Sequence, residues 1–293
     1  GLPPTDPLVE CNSGTIGCNN IKSSSAVSIT RVNISVTGNG VTEGSGGGTT
    51  NITFPVNLSA ASKCPITLDY VVSHVANDPS KPVTNALDFS GGTSGTLTIP
   101  ANQTTANITI PVAADKIVET NETFTITLSN ASGDNVIAIP SAEGFITNDD
   151  QAVITSTKSD ANEQGETDGR FTFRFPSGVT ADKDVTIQYN LAGTAQGGGV
   201  DYTDALSGSV VIPAGNSSAS VIIDVNDDEV VEGTESVILN VAGLLSDYSG
   251  LNGNQITLNN TAPQLNILDN DQTTLTITPS VTKDEGNTGT TSK

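Results

Sequence analysis

The chain has 293 residues, with 32 Asp plus Glu against 11 Lys plus Arg, and a formal net charge of −21. That balance excludes a binder of nucleic-acid backbones, which are read through positive patches, and argues against docking on an anionic membrane surface. With 35% hydrophobic residues the chain can still bury a core, and its length fits about two ordinary domains.

Residues 1–25 form a leader rich in Pro, Gly and Asn. Cys11 and Cys18 bracket a Gly-containing segment that can close as a disulfide; the alternative is two free thiols. If the bridge forms, the compartment is oxidising. Cys64, beside Pro65, has no evident mate. The chain begins at Gly1 and contains no Met, so a processed or trimmed piece of a surface protein is expected. It contains neither a signal-peptide pattern nor an apolar run long enough for a membrane span.

A first domain is expected over residues 26–150. Thr96-Leu97-Thr98-Ile99, Asn107-Ile108-Thr109-Ile110 and Thr123-Phe124-Thr125-Ile126-Thr127-Leu128 alternate polar with apolar, the period of half-buried strands. Thr, Val and Ile fill these runs and Gly, Asn, Asp and Pro punctuate them, which predicts an all-β, Ig-like antiparallel sandwich. Residues 95–130 and 208–243 then align without a gap at an offset of 113, carrying Pro100 to Pro213, Asp115 to Asp228, Glu119 to Glu232 and Glu122 to Glu235. A repeat of about 120 residues suits a whole sandwich, so a second domain is expected over residues 151–271. Residues 272–293 begin again with Thr274-Leu275-Thr276-Ile277-Thr278 and Asp284-Glu285-Gly286. They read as the first strand of a third repeat, or as a strand donated to a neighbouring copy.

Carboxylates recur at matching strand ends. In the first domain they are Glu43, Asp88, Asp115, Glu119, Glu122, Asp149 and Asp150; in the second, Glu163, Asp201, Asp227, Asp228, Glu232, Glu235, Asp269 and Asp271. With Glu285 these account for 16 of the 32 acids, so half of the acidity is localised rather than spread for solvation. Acids gathered at one end of a sandwich repel one another, and a hard, oxygen-seeking cation such as Ca²⁺ relieves that cost.

At these residues the sequence resembles the Calx-beta family: a Glu-Gly near the first strand, an Asp-Tyr at a Gly-rich turn, an Asp-Asp-x-x-x-Glu-x-x-Glu block and a closing Asp-x-Asp. The second domain matches all four, with Gln164 between Glu163 and Gly165. The first departs at Ala114, at Asn148 and at Phe89, which replaces the Tyr. The resemblance implies Ca²⁺ at the end where each last strand exits, with the carbonyls of Ile117 and Val230 as further donors. It also implies a weaker site in the first domain, one acid short. Asp150 and Asp271 run into the following segment without a flexible linker, so a cation there would stiffen the junction.

No catalytic constellation emerges. The paired acids lack the aromatic platforms of sugar subsites, His74 is the sole imidazole and reads as a solvated loop residue, and no Lys-Ser/Thr follows either Gly triplet. Nine sequons, at Asn33, Asn51, Asn57, Asn102, Asn107, Asn121, Asn130, Asn216 and Asn259, make a glycosylated surface a secondary expectation. The leading functional expectation is a structural subunit of an extracellular filament or surface stalk, its partners being copies of itself, head to tail, or further tandem repeats. The alternative is an adhesin segment that binds a glycan or a host protein through sandwich loops, the loop at residues 73–86 foremost. A calcium-regulated transporter module follows from analogy alone.

Overall fold

A computed structural model describes residues 31–75, 81–133, 135–206, 208–245, 255–259 and 262–278. The leader with Cys11 and Cys18 lies outside the described residues, as do residues 279–293.

The alternating segments form strands, and the strands form two sandwiches. In the first half, a four-stranded sheet orders Thr105–Ala114, Gly48–Leu58, Asn33–Val36 and Val136–Ile139. A five-stranded sheet faces it, ordered Asn39–Thr42, Ser141–Thr147, Glu122–Ser129, Ile66–Ser73 and Ser94–Ile99. Their inner positions make one core around Phe54, Phe89 and Phe124, whose rings meet edge to face at 5.7 and 5.1 Å. Gly144 lies over Phe124, and a Cβ at that position would stand 2.3 Å from the ring, so the strand tolerates no side chain there.

The second half repeats the arrangement. One sheet orders Tyr202–Thr203, Ser218–Val225, Gly169–Arg174, Ala152–Ser159 and Ile256–Leu258; the other orders Ala161–Asn162, Gln264–Leu268, Glu235–Leu245, Val185–Gly193 and Ser209–Ile212. In both halves the opening strand begins in one sheet and crosses into the other, where it runs parallel to the last strand. Asn39–Thr42 pairs with Ser141–Thr147, and Ala161–Asn162 with Gln264–Leu268. This crossing positions the acids.

The halves are also joined by a fifth, two-stranded sheet. Ile117–Val118 of the first runs parallel to Thr180–Ala181 of the second, and the Asp182 N–H donates to the Val118 carbonyl at 3.2 Å. Val118 has no solvent exposure and belongs to the second half's core, not the first's. The strand expected at residues 274–278, opening a third repeat or donated to a neighbouring copy, pairs with no sheet among the described residues. Those residues are in no strand, and Leu275 and Ile277 are 84% and 79% exposed, because an edge without a partner sheet cannot satisfy its ladder.

Val118→Ala removes two buried carbons and leaves a partial cavity, so it is expected to cost about 2 kcal/mol. The loss should appear as an earlier urea midpoint by tyrosine fluorescence, because Tyr189 and Tyr202 report on the second core. An unchanged midpoint would remove Val118 from that core.

Candidate metal centre

The crossing strand places the first acid of each half. The Glu43 N–H donates to the Thr147 carbonyl and the Glu163 N–H to the Leu268 carbonyl, both at 3.1 Å. Each glutamate therefore stands where the last strand leaves the sandwich. Glu43 meets Asp149 and Asp150 there, and Glu163 meets Asp269 and Asp271, with one carboxylate oxygen from each member of a group within 4.8 Å of the others. A second triad lies beside the first. Asp88, capping the 3₁₀ turn Ala86–Asp88, meets Glu119 and Glu122; Asp201, ahead of Tyr202–Thr203, meets Glu232 and Glu235.

Asp115 and Asp228 join no triad, but the charge of each reaches both triads of its half. Asp115 raises the pKa of Glu43, Asp150 and Glu119, while Asp228 raises that of Glu163, Glu232 and Asp271. Each also accepts a backbone N–H two residues on, from Ile117 and Val230, at 2.7 Å. Asp227 accepts from the Asn270 side chain at 3.2 Å and belongs to neither triad, so Ala114 at the equivalent place deprives the first half of no triad member. The departure at Asn148 has a physical explanation too. Asn148 bridges Asn121 and Asp150 through its backbone N–H and side-chain amide, and Asp149 supplies the acid that Asp269 provides in the other half.

Burial and like charge hold several of these groups protonated well above the carboxylate range. Burial foremost, then Glu119, Asp115, Asp150 and Asp149, pushes Glu43 up to about 9. Burial, then Asp88, Asp182 and Asp115, pushes Glu119 to about 8. Burial, then the charge of Asp88 and a hydrogen bond with it, takes Glu122 to about 9. Asp150 rises to about 6, and in the second half Glu235 rises to about 7 from burial and its bond to Asp201. Glu163 moves the same way, by burial and then Asp269. Asp269 alone moves down, since the N–H groups of Asp271, Gly233 and Glu232 all point at it.

The donor set fits a calcium ion. Buried carboxylate oxygens of Glu43, Asp150, Glu163, Asp201, Glu235 and Asp271 have no hydrogen-bond donor among the described residues. An orphaned buried acceptor is costly, and a cation that takes six to eight oxygens and prefers carboxylates satisfies it.

One contributor was not legible in the sequence. Asp182 belongs to the second half, yet its charge raises Glu119 and Glu122 of the first across the junction. Only the pairing of Ile117–Val118 with Thr180–Ala181 brings it there. Two sequence expectations need correction. Cys64, which has no evident mate in the sequence, is disulfide-bonded, and Cys11 and Cys18 lie outside the described residues. Asn121 is buried and its side-chain oxygen accepts from the Asn148 N–H, so its sequon is not presented to solvent. Asn57 is half-buried, and Asn33, Asn51, Asn102, Asn107, Asn130, Asn216 and Asn259 are exposed. His74 is exposed, as expected, and its Nδ1 lies 3.0 Å from the Thr84 hydroxyl. Of the loop at residues 73–86, the described part is pinned to the first sandwich: Lys81 pairs with Glu143 at 2.8 Å, and the Thr84 N–H donates to the Thr123 carbonyl.

Two tandem antiparallel sandwiches, each with paired acid triads where its last strand exits, define a class of β-sandwich modules with acidic end sites. The chain belongs to the Calx-beta family: the Calx-beta domain matches residues 83–151 and 148–281, more than half of its length. Calx-beta domains are non-enzymatic binding or structural domains, and homologues bind Ca²⁺. The chain is similar to the apo-form Calx CBD1 domain at 22% identity, covering 41% of this chain and 100% of that one, with a TM-score of 0.35. It is similar to the two-domain CBD12 of CALX1.2 at 16% identity, covering 81% and 99%, with a TM-score of 0.34. The Calx CBD2 domain is similar at 12% identity, covering 40% and 86%, with a TM-score of 0.31. At such TM-scores these likenesses carry no functional inference. No curated protein sequence matches the chain. Among the described residues no helix is long and apolar enough to cross a membrane.

Carboxylates whose folded pKa lies above the unfolded value stabilise the fold below about pH 4.5, and that contribution is lost as pH rises through the folded value. With calcium chelated, the melting temperature is therefore expected to fall as pH passes from 5 toward about 9, the value reached by Glu43 and Glu122. Calcium competes with those protons, so the shift it produces should grow over the same window. Thermal melts with and without chelator check both. A melting temperature that rises with pH in chelator would contradict the proton accounting.

Proposed function

We propose that the chain is a structural subunit of an extracellular filament or surface stalk, built of tandem sandwiches that Ca²⁺ stiffens at their junction. One observation carries this reading: Ile117–Val118 couples the halves between Asp115 and the pair Glu119 and Glu122. Any ion held by those acids therefore acts on the connector itself.

In each half the two triads would hold the ions, with Asp115 or Asp228 shared between them. Bound calcium would supply positive charge that removes the mutual repulsion of the acids. The residues of this chain do the rest. The Val118 side chain anchors one sandwich in the core of the other, and the Val118 carbonyl accepts the Asp182 N–H. Wherever Glu119 and Glu122 are ionised without a cation, Asp182 repels them and loosens the same contact. An extracellular or cell-surface location is supported by the disulfide at Cys64, since such bonds persist in oxidising compartments.

Small-angle scattering of the intact chain tests the reading. Calcium is expected to give one extended, narrowly distributed shape, and chelator a broader distribution of interdomain angles. The double variant Asp88→Asn with Glu122→Gln should lose the response to calcium while keeping both sandwiches folded by circular dichroism. Identical profiles in calcium and chelator for the unmodified chain would contradict a stiffening role.

A further inference from the structure

The repeat makes the two halves comparable residue by residue, and they differ at the connector. Val230–Val231 stands 113 residues after Ile117–Val118, and Asp228 takes the Val230 N–H as Asp115 takes that of Ile117. In the first half this step is paired with Thr180–Ala181 and Val118 is fully buried. In the second half Val230 and Val231 are 55% and 50% exposed. Acidic burial follows the same divide: Glu119 is buried, while its counterpart Glu232 is exposed.

The receiving edge is repeated as well. The Ala181 carbonyl accepts the Gly215 N–H at 2.8 Å, two residues after Pro213; the Ser62 carbonyl accepts the Asn102 N–H at 2.7 Å, two residues after Pro100. Ala61–Ser62 is thus the first half's equivalent of Thr180–Ala181, with Ala61 exposed and Ser62 half-buried. It belongs to no strand among the described residues. Each chain therefore carries a connector near one end and a receiving edge near the other, in the geometry that its own internal junction already uses.

We propose that Val230–Val231 docks on Ala61–Ser62 of a second copy of this chain, with Ala61 opposite Val230 and Ser62 opposite Val231. The register follows from the internal pairs, Thr180 with Ile117 and Ala181 with Val118. Charge favours this occupant. Inside the chain the residue after the receiving edge is Asp182, a like charge facing Glu119 and Glu122. At the copy-to-copy junction that place is held by Lys63, so the like charge that faces the acids inside the chain has no counterpart there. The contact joins two different surfaces and does not close on itself, so it propagates into a linear polymer. The proposal rests on the filament reading and gives it a defined interface.

Sedimentation velocity of the intact chain in calcium, over a concentration series, is the first test. The unmodified chain should show a sedimentation coefficient that rises with concentration, and the double variant Val230→Ser with Val231→Ser should lose the rise. Both substitutions sit at exposed positions, and a melting temperature equal to that of the unmodified chain confirms the fold. In the second test, a chain with Val231→Cys is mixed with a chain carrying Ser62→Cys. A disulfide between those positions, mapped by mass spectrometry, is expected, because facing residues of a parallel pair lie within disulfide reach. A chain that stays monomeric at all concentrations overturns the proposal, as does association that survives in the double serine variant. Scattering reads the junction within one chain, so a monomeric protein that still straightens in calcium sinks this interface alone. Self-association without a calcium response sinks only the stiffening.

Discussion

Mutual repulsion among carboxylates, held together by topology at the ends of two sandwiches, is the constraint on which the rest of this structure depends. Glu43, Glu119 and Glu122 are buried with acids for neighbours, and their pKa values rise to about 9, 8 and 9. A fold that gathers such groups without compensation carries a standing electrostatic cost, which protons relieve below the raised pKa values and an oxygen-seeking cation relieves by displacing those protons. The orphaned oxygens of Glu43, Asp150, Glu163, Asp201, Glu235 and Asp271 mark where that compensation is missing.

The backbone explains why the acids meet. Because the opening strand of each half crosses between sheets and ends beside the last strand, residues more than 100 positions apart become neighbours: Glu43 with Asp149 and Asp150, Glu163 with Asp269 and Asp271. The same end of the first sandwich carries Ile117–Val118, so electrostatics and mechanics share one location. On the proposed reading, an ion bound at the first pair of triads would act on the joint directly, without a relay through the core.

Much of this is legible in the sequence. Alternation in residues such as Thr96-Leu97-Thr98-Ile99 marks strands, and the 113-residue offset marks two like sandwiches. The acids grouped as triads can all be picked out by motif spacing, which survives insertion elsewhere. What escapes has physical causes. Ala114 looks like a lost ligand, but its counterpart Asp227 lies outside both triads; Asn148 looks like another, but Asp149 takes the place one residue later. Neither is visible without side-chain directions. Asp182 reaches the first half's acids only through the interdomain pairing, and Val118 reads as an ordinary strand residue until it appears in the other domain's core. The mate of Cys64 cannot be chosen because connectivity does not follow from spacing.

The two halves, alike in donor set, differ in cover. In the first half Glu119 and Val118 are buried, while in the second half Glu232 and the step Val230–Val231 face solvent. Cover raises the cost of charge and so strengthens the demand for a cation. Calorimetric titration of the intact chain with calcium tests the central claim most directly. The account predicts a saturable heat, accompanied by proton release whose size depends on the buffer and which shrinks when Glu43→Gln and Glu122→Gln remove two of the protons held by the apo protein. Absence of heat, or binding without proton release near neutral pH, would contradict it.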